Sequence, residues 1–312
     1  MISFIKRIGS FFNGIAAALG WLFIIFNVLL LMAVLSIIGG GSVELDDLTS
    51  KLKSDKVVAV LNLEGEIGSM INVSEFREEL DKQVNNSKVK GIVVRIDSPG
   101  GTVGGSEDLY YAIKSAKEKK PVICSLGDVA ASGGLYVASA CDKVVTNKGT
   151  LTGSIGVIMM MPNFSSIMSK YDLEMTVIKS GEFKDSGSPF RKLSDSDREL
   201  LQTLVGESHN QFVQAVAQGR GLKEEDVRKF ADGRIILGED AVALGLADEI
   251  GDVSKAAKLV LAKLSLEGEP EVVYPEKKKG FEKLVDNLVK SKLFSIFTSS
   301  YNGAQLRYQW IY

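Results

Sequence analysis

The chain is short of the residues that most hydrolases and metalloproteins use. Its 312 residues hold one histidine, His209, and two cysteines, Cys124 and Cys141. A single histidine leaves no His/Cys cluster for a metal, and the carboxylates fall mainly in solvated helix starts. His209 itself lies mid-helix at the edge of an apolar stripe, shortly before Phe212 and Val213, which is an ordinary place for a structural histidine. Without it no Ser-His-Asp triad can be assembled. The cysteines lack metal-ligand spacing and are too few for a disulfide framework, and Cys124, inside the apolar run Val122–Leu126, reads as a buried free thiol. A net charge of −2 gives no electrostatic reason to expect nucleic acid as partner. No repeat with a period of about 20 to 50 residues is visible.

What is abundant is apolar sequence: 45% of the residues are hydrophobic, enough for a sizeable core. After Lys6 and Arg7 no charged residue occurs until Glu44. Residues 15–38, "IAAALGWLFIIFNVLLLMAVLSII", are apolar except for Asn27 and Ser36. As a helix this stretch spans roughly 36 Å, enough to cross a ~30 Å hydrocarbon layer. It is too long for an ordinary signal-peptide core and ends in "IIGGGS" without an A-x-A-like cleavage site, so it reads as an uncleaved signal anchor. Positive charge precedes the span, and Glu44, Asp46 and Asp47 follow it. The positive-inside rule then places the short N-terminus in the cytoplasm and the bulk of the chain outside.

The expected organisation is a cytoplasmic N-terminus (1–14), the anchor (15–38), a linker (39–55), a catalytic domain (56–265) and a C-terminal extension (266–312). Within the body, "KVVAVLNL" (56–63), "GIVVRI" (91–96), "PVICSL" (121–126), "KVVTN" (143–147), "IGVIMMM" (155–161) and "LEMTVIK" (173–179) are strand candidates. Helical patterns lie between several of them, one with Leu109, Ile113 and Ala116 on a single face. Near-continuous apolar strands alternating with helices predict an α/β layer structure with a mainly parallel sheet. A long helix is expected from about Asp195 to Gln218, capped by Ser194, then a short one closed by Gly233. Pro270 and Pro275 bracket an extended piece, and a last amphipathic helix is expected near 281–290.

One stretch carries chemistry. In "GDVAASGGLYVA" (127–138) Ser132 stands between small residues at the end of a strand pattern and the start of a helix pattern. A nucleophilic serine needs a base, and with histidine removed lysine remains. At an ordinary lysine pKa of ~10.4, only a few parts in ten thousand are neutral at pH 7, so the lysine must be desolvated. Most lysines lie in charged helical runs. Lys184, in the Gly/Ser-rich "IKSGEFKDSGSPF" with Phe183 and Phe190 nearby, is the exception, although Asp185 beside it opposes the shift if its carboxylate points inward. Two glycine loops follow strands: Pro99-Gly100-Gly101 and Ser132-Gly133. Backbone N–H groups of Gly101 and Gly133 are candidate oxyanion donors; the plainer readings are tight turns or a phosphate cradle.

"RIDSPGG", "GDVAASGGLYVA", "TLTGSIGVI", "KSGEFKD" and "ADGRIILGEDAVALGLADEIG", in that order between about Val57 and Gly251, strongly resemble the signal peptide peptidase A family in its short bacterial form. The resemblance implies a crotonase/Clp-protease-like fold of repeated ββα units. It also implies Ser132 as nucleophile, Lys184 as general base, Ser154 of "TGS" orienting the amine, and Gly101 and Gly133 as the oxyanion hole. It further implies a homo-oligomeric ring in which neighbouring protomers contribute Ser and Lys. The function expected is a membrane-anchored serine endopeptidase degrading cleaved signal peptides and other apolar peptides, with no metal or organic cofactor. The rivals are an acyl-CoA-processing enzyme on the same fold, a peptide-binding membrane scaffold, and a broader membrane quality-control protease. The tail "LRYQWIY", ending in an aromatic carboxylate as a cleaved product would, is a candidate occupant of the substrate groove.

Overall fold

Runs of β-branched residues buried on both faces form the centre of the molecule. The computed structural model describes residues 55–275 and the backbone of 307–309. All of them belong to one compact unit, Ser54–Pro275 with Ser295–Tyr312. The anchor assigned to 15–38, most of the linker and the amphipathic helix expected near 281–290 lie outside the described residues. No described helix is long and apolar enough to cross a membrane.

The chain begins with β1 (Val57–Glu64), α1 (Val73–Asn85) and β2 (Val89–Ser98). A short β3 (Gly100–Thr102) leads into α2 (Val103–Lys117), then β4 (Val122–Ala130) and α3 (Gly133–Ala138). Next come β5 (Lys143–Thr146), β6 (Leu151–Gly153), α4 (Ser165–Lys170) and the long α5 (Asp195–Arg220). The C-terminal part supplies α6 (Glu224–Arg228), β7 (Ile235–Leu237), α7 (Gly238–Ala243), β8 (Glu249–Ile250), α8 (Val253–Lys263), β9 (Glu271–Val273) and β10 (Arg307–Gln309).

An eight-stranded sheet runs in the order β7-β6-β4-β2-β1-β9, with β5 also paired to β4 and carrying β8. All pairings in it are parallel except β6 with β7. Val60 of β1 lies opposite Val93 of β2, and Val93 opposite Ile123 of β4. These residues and Val58 and Val145 pack against Ala256, Ala257, Val260 and Leu261 of α8. Strand alternation turns Ala59, Leu61, Ile92 and Val94 to the opposite face, where they are buried as well. Helices α1 and α3 also pack on the sheet. The layered α/β core of repeated β-α units thus follows from apolar strands needing cover on both sides.

Three expectations require correction. Residues 155–161 and 173–179 form no strand. Ile155 is buried, but Met160 and every residue of 173–179 are exposed, Ile178 to 97%. Ser194 caps α5 in a full capping box with Asp197, as expected. Asp197 in its first turn is buried, Leu204 is exposed, and the apolar side chains of the helix are buried only from Phe212 onward. The cysteines are not free: Cys124 and Cys141 form a disulfide with Cα atoms 5.8 Å apart. The chain leaves β4, turns through α3 and returns, which brings two thiols separated by 17 residues together in the core.

Candidate active site

Ser132 stands where β4 ends and α3 begins, with φ 54° and ψ −116°. A positive φ at a non-glycine residue costs about 1–3 kcal/mol and persists only where its surroundings impose it. Three backbone hydrogen bonds do so here. Ser132 N–H donates to Gly153 O at 2.9 Å, Tyr136 N–H donates to Ser132 O at 2.9 Å, and Ala131 N–H donates to Ser98 O at 3.1 Å. The turn is thereby tied to β6 and to the end of β2. Thr152 Oγ1 reinforces the tie by donating to Ala130 O at 2.6 Å, and Thr150 Oγ1 donates to Gly127 O at 2.7 Å. Neither threonine was singled out in the sequence, since a strand threonine reads as ordinary β-propensity.

The Ser132 side chain is fully buried, and its Oγ has no hydrogen-bond partner. Leaving a buried hydroxyl unsatisfied costs about 1–3 kcal/mol. Such a group calls for a functional explanation.

Both glycine loops converge on this turn. Gly133 opens α3, and a Cβ at its neighbour Gly134 would lie 2.9 Å from Ser98 O, so the helix start approaches the end of β2 too closely for a side chain. Gly101 sits in β3, where a Cβ would lie 2.0 Å from Ile67 O. Thr102 N–H donates to Ile67 O at 3.0 Å, and Ile67 N–H donates to Gly100 O at 2.8 Å. Alternation along the strand then turns the Gly101 N–H and C=O to the other edge. That edge carries β10 of the same chain, antiparallel, with Tyr308 opposite Gly101.

Ser154 follows Gly153, the residue that holds the Ser132 N–H. It has φ 52°, is nearly buried, and its N–H donates to Arg234 O at 2.7 Å. Lys184 lies in a short 3-10 turn, Glu182–Asp185, and is exposed, as are Phe183 and Phe190. Within one chain the structure therefore brings Ser132, Gly133 and Ser154 together with the β3 loop, and leaves Lys184 on a solvent-facing turn. The carboxylate of Asp185 does not point at Lys184: Arg191 and Lys179 take both its oxygens. His209 is accounted for structurally, its Nε2–H donating to Ala231 O at 2.9 Å.

Residues 114–266 match Peptidase family S49. A Synechocystis protein described as a candidate protease is 41% identical over 201 residues, 64% of this chain and 72% of the relative. Protease 4 of Haemophilus influenzae is 33% identical over 214 residues, 65% of this chain but 35% of its own length. The chloroplastic serine protease SPPA of Arabidopsis thaliana is 32% identical over 200 residues, 64% of this chain and 30% of the relative. Among solved structures, a ClpP1 mutant from Listeria monocytogenes overlaps 67% of this chain and 99% of its own, at TM-score 0.42 and 18% identity. The chain belongs to peptidase family S49, the signal peptide peptidase A family of serine proteases.

Proposed function

We propose that the protein is a membrane-tethered endopeptidase in which Ser132 is the nucleophile and Lys184 of a neighbouring copy is the general base. The observation that carries this reading is the Ser132 hydroxyl: held at positive φ, buried, and without a partner. An incoming neutral amine supplies the missing acceptor. Lys184 is exposed on a segment whose apolar residues are also exposed, so a second copy packing there both buries that surface and desolvates the amine.

In the proposed reaction Lys184 Nζ takes the Ser132 proton as Oγ adds to the peptide carbonyl. The N–H groups of Gly101 and Gly133 receive the oxyanion. Lys184 then gives the proton to the departing amine, leaving an ester on Ser132. Water, deprotonated by the same amine, hydrolyses it. Ser154, beside the residue that fixes the Ser132 backbone, orients the amine.

Substrates bind as extended strands. The outward edge of β3 pairs with residues 307–309 and has the polarity to pair with any extended peptide. Apolar peptides at the membrane, cleaved signal peptides above all, are the proposed substrates, because an anchored site meets them at high local concentration. The Cys124–Cys141 bridge supports a catalytic domain on the oxidising, extracytoplasmic side.

The test combines two inactive variants. Ser132→Ala and Lys184→Ala should each abolish cleavage of a fluorogenic apolar peptide, and co-assembled mixtures should regain part of it. Wild-type protein should be acylated at Ser132 by a fluorophosphonate. Activity retained in Lys184→Ala overturns the dyad, and mixtures that stay inert overturn its sharing between copies.

A further inference from the structure

The turn bearing Lys184 is held by ion pairs that the mechanism above does not use. Arg191 grips Asp185 with two parallel bonds, Nε to Oδ2 and Nη2 to Oδ1, each 2.9 Å. Through Nη1 and Nη2 it also reaches both oxygens of Asp197 in the first turn of α5. Lys179 adds bonds to Asp185 Oδ1 at 2.6 Å and to Glu182 O at 2.7 Å. Asp197 is 2% exposed and is bonded as well by the hydroxyls of Ser186 and Ser194. Glu182 is directed to Ser196, whose hydroxyl donates to it at 3.2 Å. The charged groups of the cluster are therefore Lys179, Glu182, Asp185 and Arg191 on the loop and Asp197 on α5.

This arrangement answers the difficulty that the sequence raises at Asp185. A carboxylate adjacent to a catalytic lysine stabilises the ammonium and opposes loss of its proton. We propose that Arg191 is a positioning residue for the reaction: anchored to Asp197, it occupies the Asp185 carboxylate and keeps it from pairing with the Lys184 ammonium. The inference rests on the Ser132–Lys184 reading. Asp185, Asp197 and Arg191 stay charged throughout the working pH range. The hydrogen bond from Arg191, then that from Lys179, holds the Asp185 carboxyl well below the usual carboxylate range, and Arg191, Ser186 and Ser194 do the same for Asp197. Bidentate geometry makes arginine the side chain suited to the task, since a lysine there cannot bond both oxygens of Asp185 and still span to Asp197.

The charge arithmetic predicts opposite effects from two substitutions. Arg191→Ala removes the main partner of Asp185 and leaves the loop one charge more negative. Asp185→Asn keeps the shape and leaves it one charge more positive. The experiment is the pH profile of kcat/KM for a fluorogenic apolar peptide, on the full chain in detergent, with thermal melts as a check on folding. Arg191→Ala should move the acid limb up by about one pH unit, giving about tenfold lower activity below the limb and recovery at alkaline pH. Asp185→Asn should move the limb down, and Arg191→Ala/Asp185→Asn should return it towards wild type. Arg191→Lys should fall between wild type and Arg191→Ala.

If Arg191→Ala does not fold, the direction of the Asp185→Asn shift decides alone. Limbs that stay fixed, or that move the same way in both single variants, overturn the proposal. Lys184→Ala, run alongside, separates the two claims: if it cleaves peptide, the dyad itself is wrong. If it is inert while the limbs stay fixed, only the role of Arg191 falls.

Discussion

A methyl group on Gly101 would collide with the Ile67 carbonyl oxygen at 2.0 Å, so β3 and the segment before α1 are in backbone contact with no room for a side chain. Gly101→Ala must push β3 outward and carry its N–H away from the reacting carbonyl. Losing one oxyanion donor typically lowers kcat about 100- to 1,000-fold. That loss, with a fluorophosphonate still reaching Ser132, is the expected result. Near wild-type turnover would remove Gly101 from the machinery.

The Cys124–Cys141 bridge closes a short loop around the nucleophile. A bridge over a loop of about 15 residues contributes about 3 kcal/mol by restricting the unfolded chain. Cys124→Ala/Cys141→Ala should therefore lower Tm by about 6 to 12 °C for a body of this size. Thiol titration in denaturant should find no free thiol before reduction and two after it. Two reactive thiols in protein isolated from an oxidising compartment would contradict the pairing.

Ile178 is 97% exposed, among other exposed apolar residues that include Leu173, Met175 and Val177. Ile178→Glu should leave the melting behaviour of a single copy unchanged, because little within the chain touches it. It should shift the protein to smaller species on gel filtration and lower peptide cleavage most at low protein concentration. Unchanged assembly would mean that this surface packs against something other than a second copy.

Residues 307–309 lie on the strand edge proposed for substrates. Truncation after Gly303 should free that edge and lower KM for a short apolar peptide while leaving kcat close to wild type, since the chemical groups are untouched. An unaltered KM would show that these residues do not compete for the edge.

Much of the body was readable because its strands are buried on both faces, and Val, Ile and Leu runs such as Val57–Leu63 leave few alternatives. Residues 155–161 and 173–179 carry the same composition, yet form no strand. Composition reports that a segment wants cover, not which chain supplies it. The disulfide was missed because two cysteines 17 residues apart become neighbours only through the reversal at α3. The Ser132 turn was visible from the junction of two periodicities. Its strain and the Arg191 cluster were not, since the first depends on the backbone of β6 and the second on the first turn of α5.

Lys184 stands in solvent on a surface-exposed turn while the Ser132 hydroxyl is sealed inside. On the proposed arrangement a newly exported molecule is harmless until it meets its own kind. Proteolytic capacity would then rise more steeply than copy number, a threshold that spares the membrane while the enzyme is scarce.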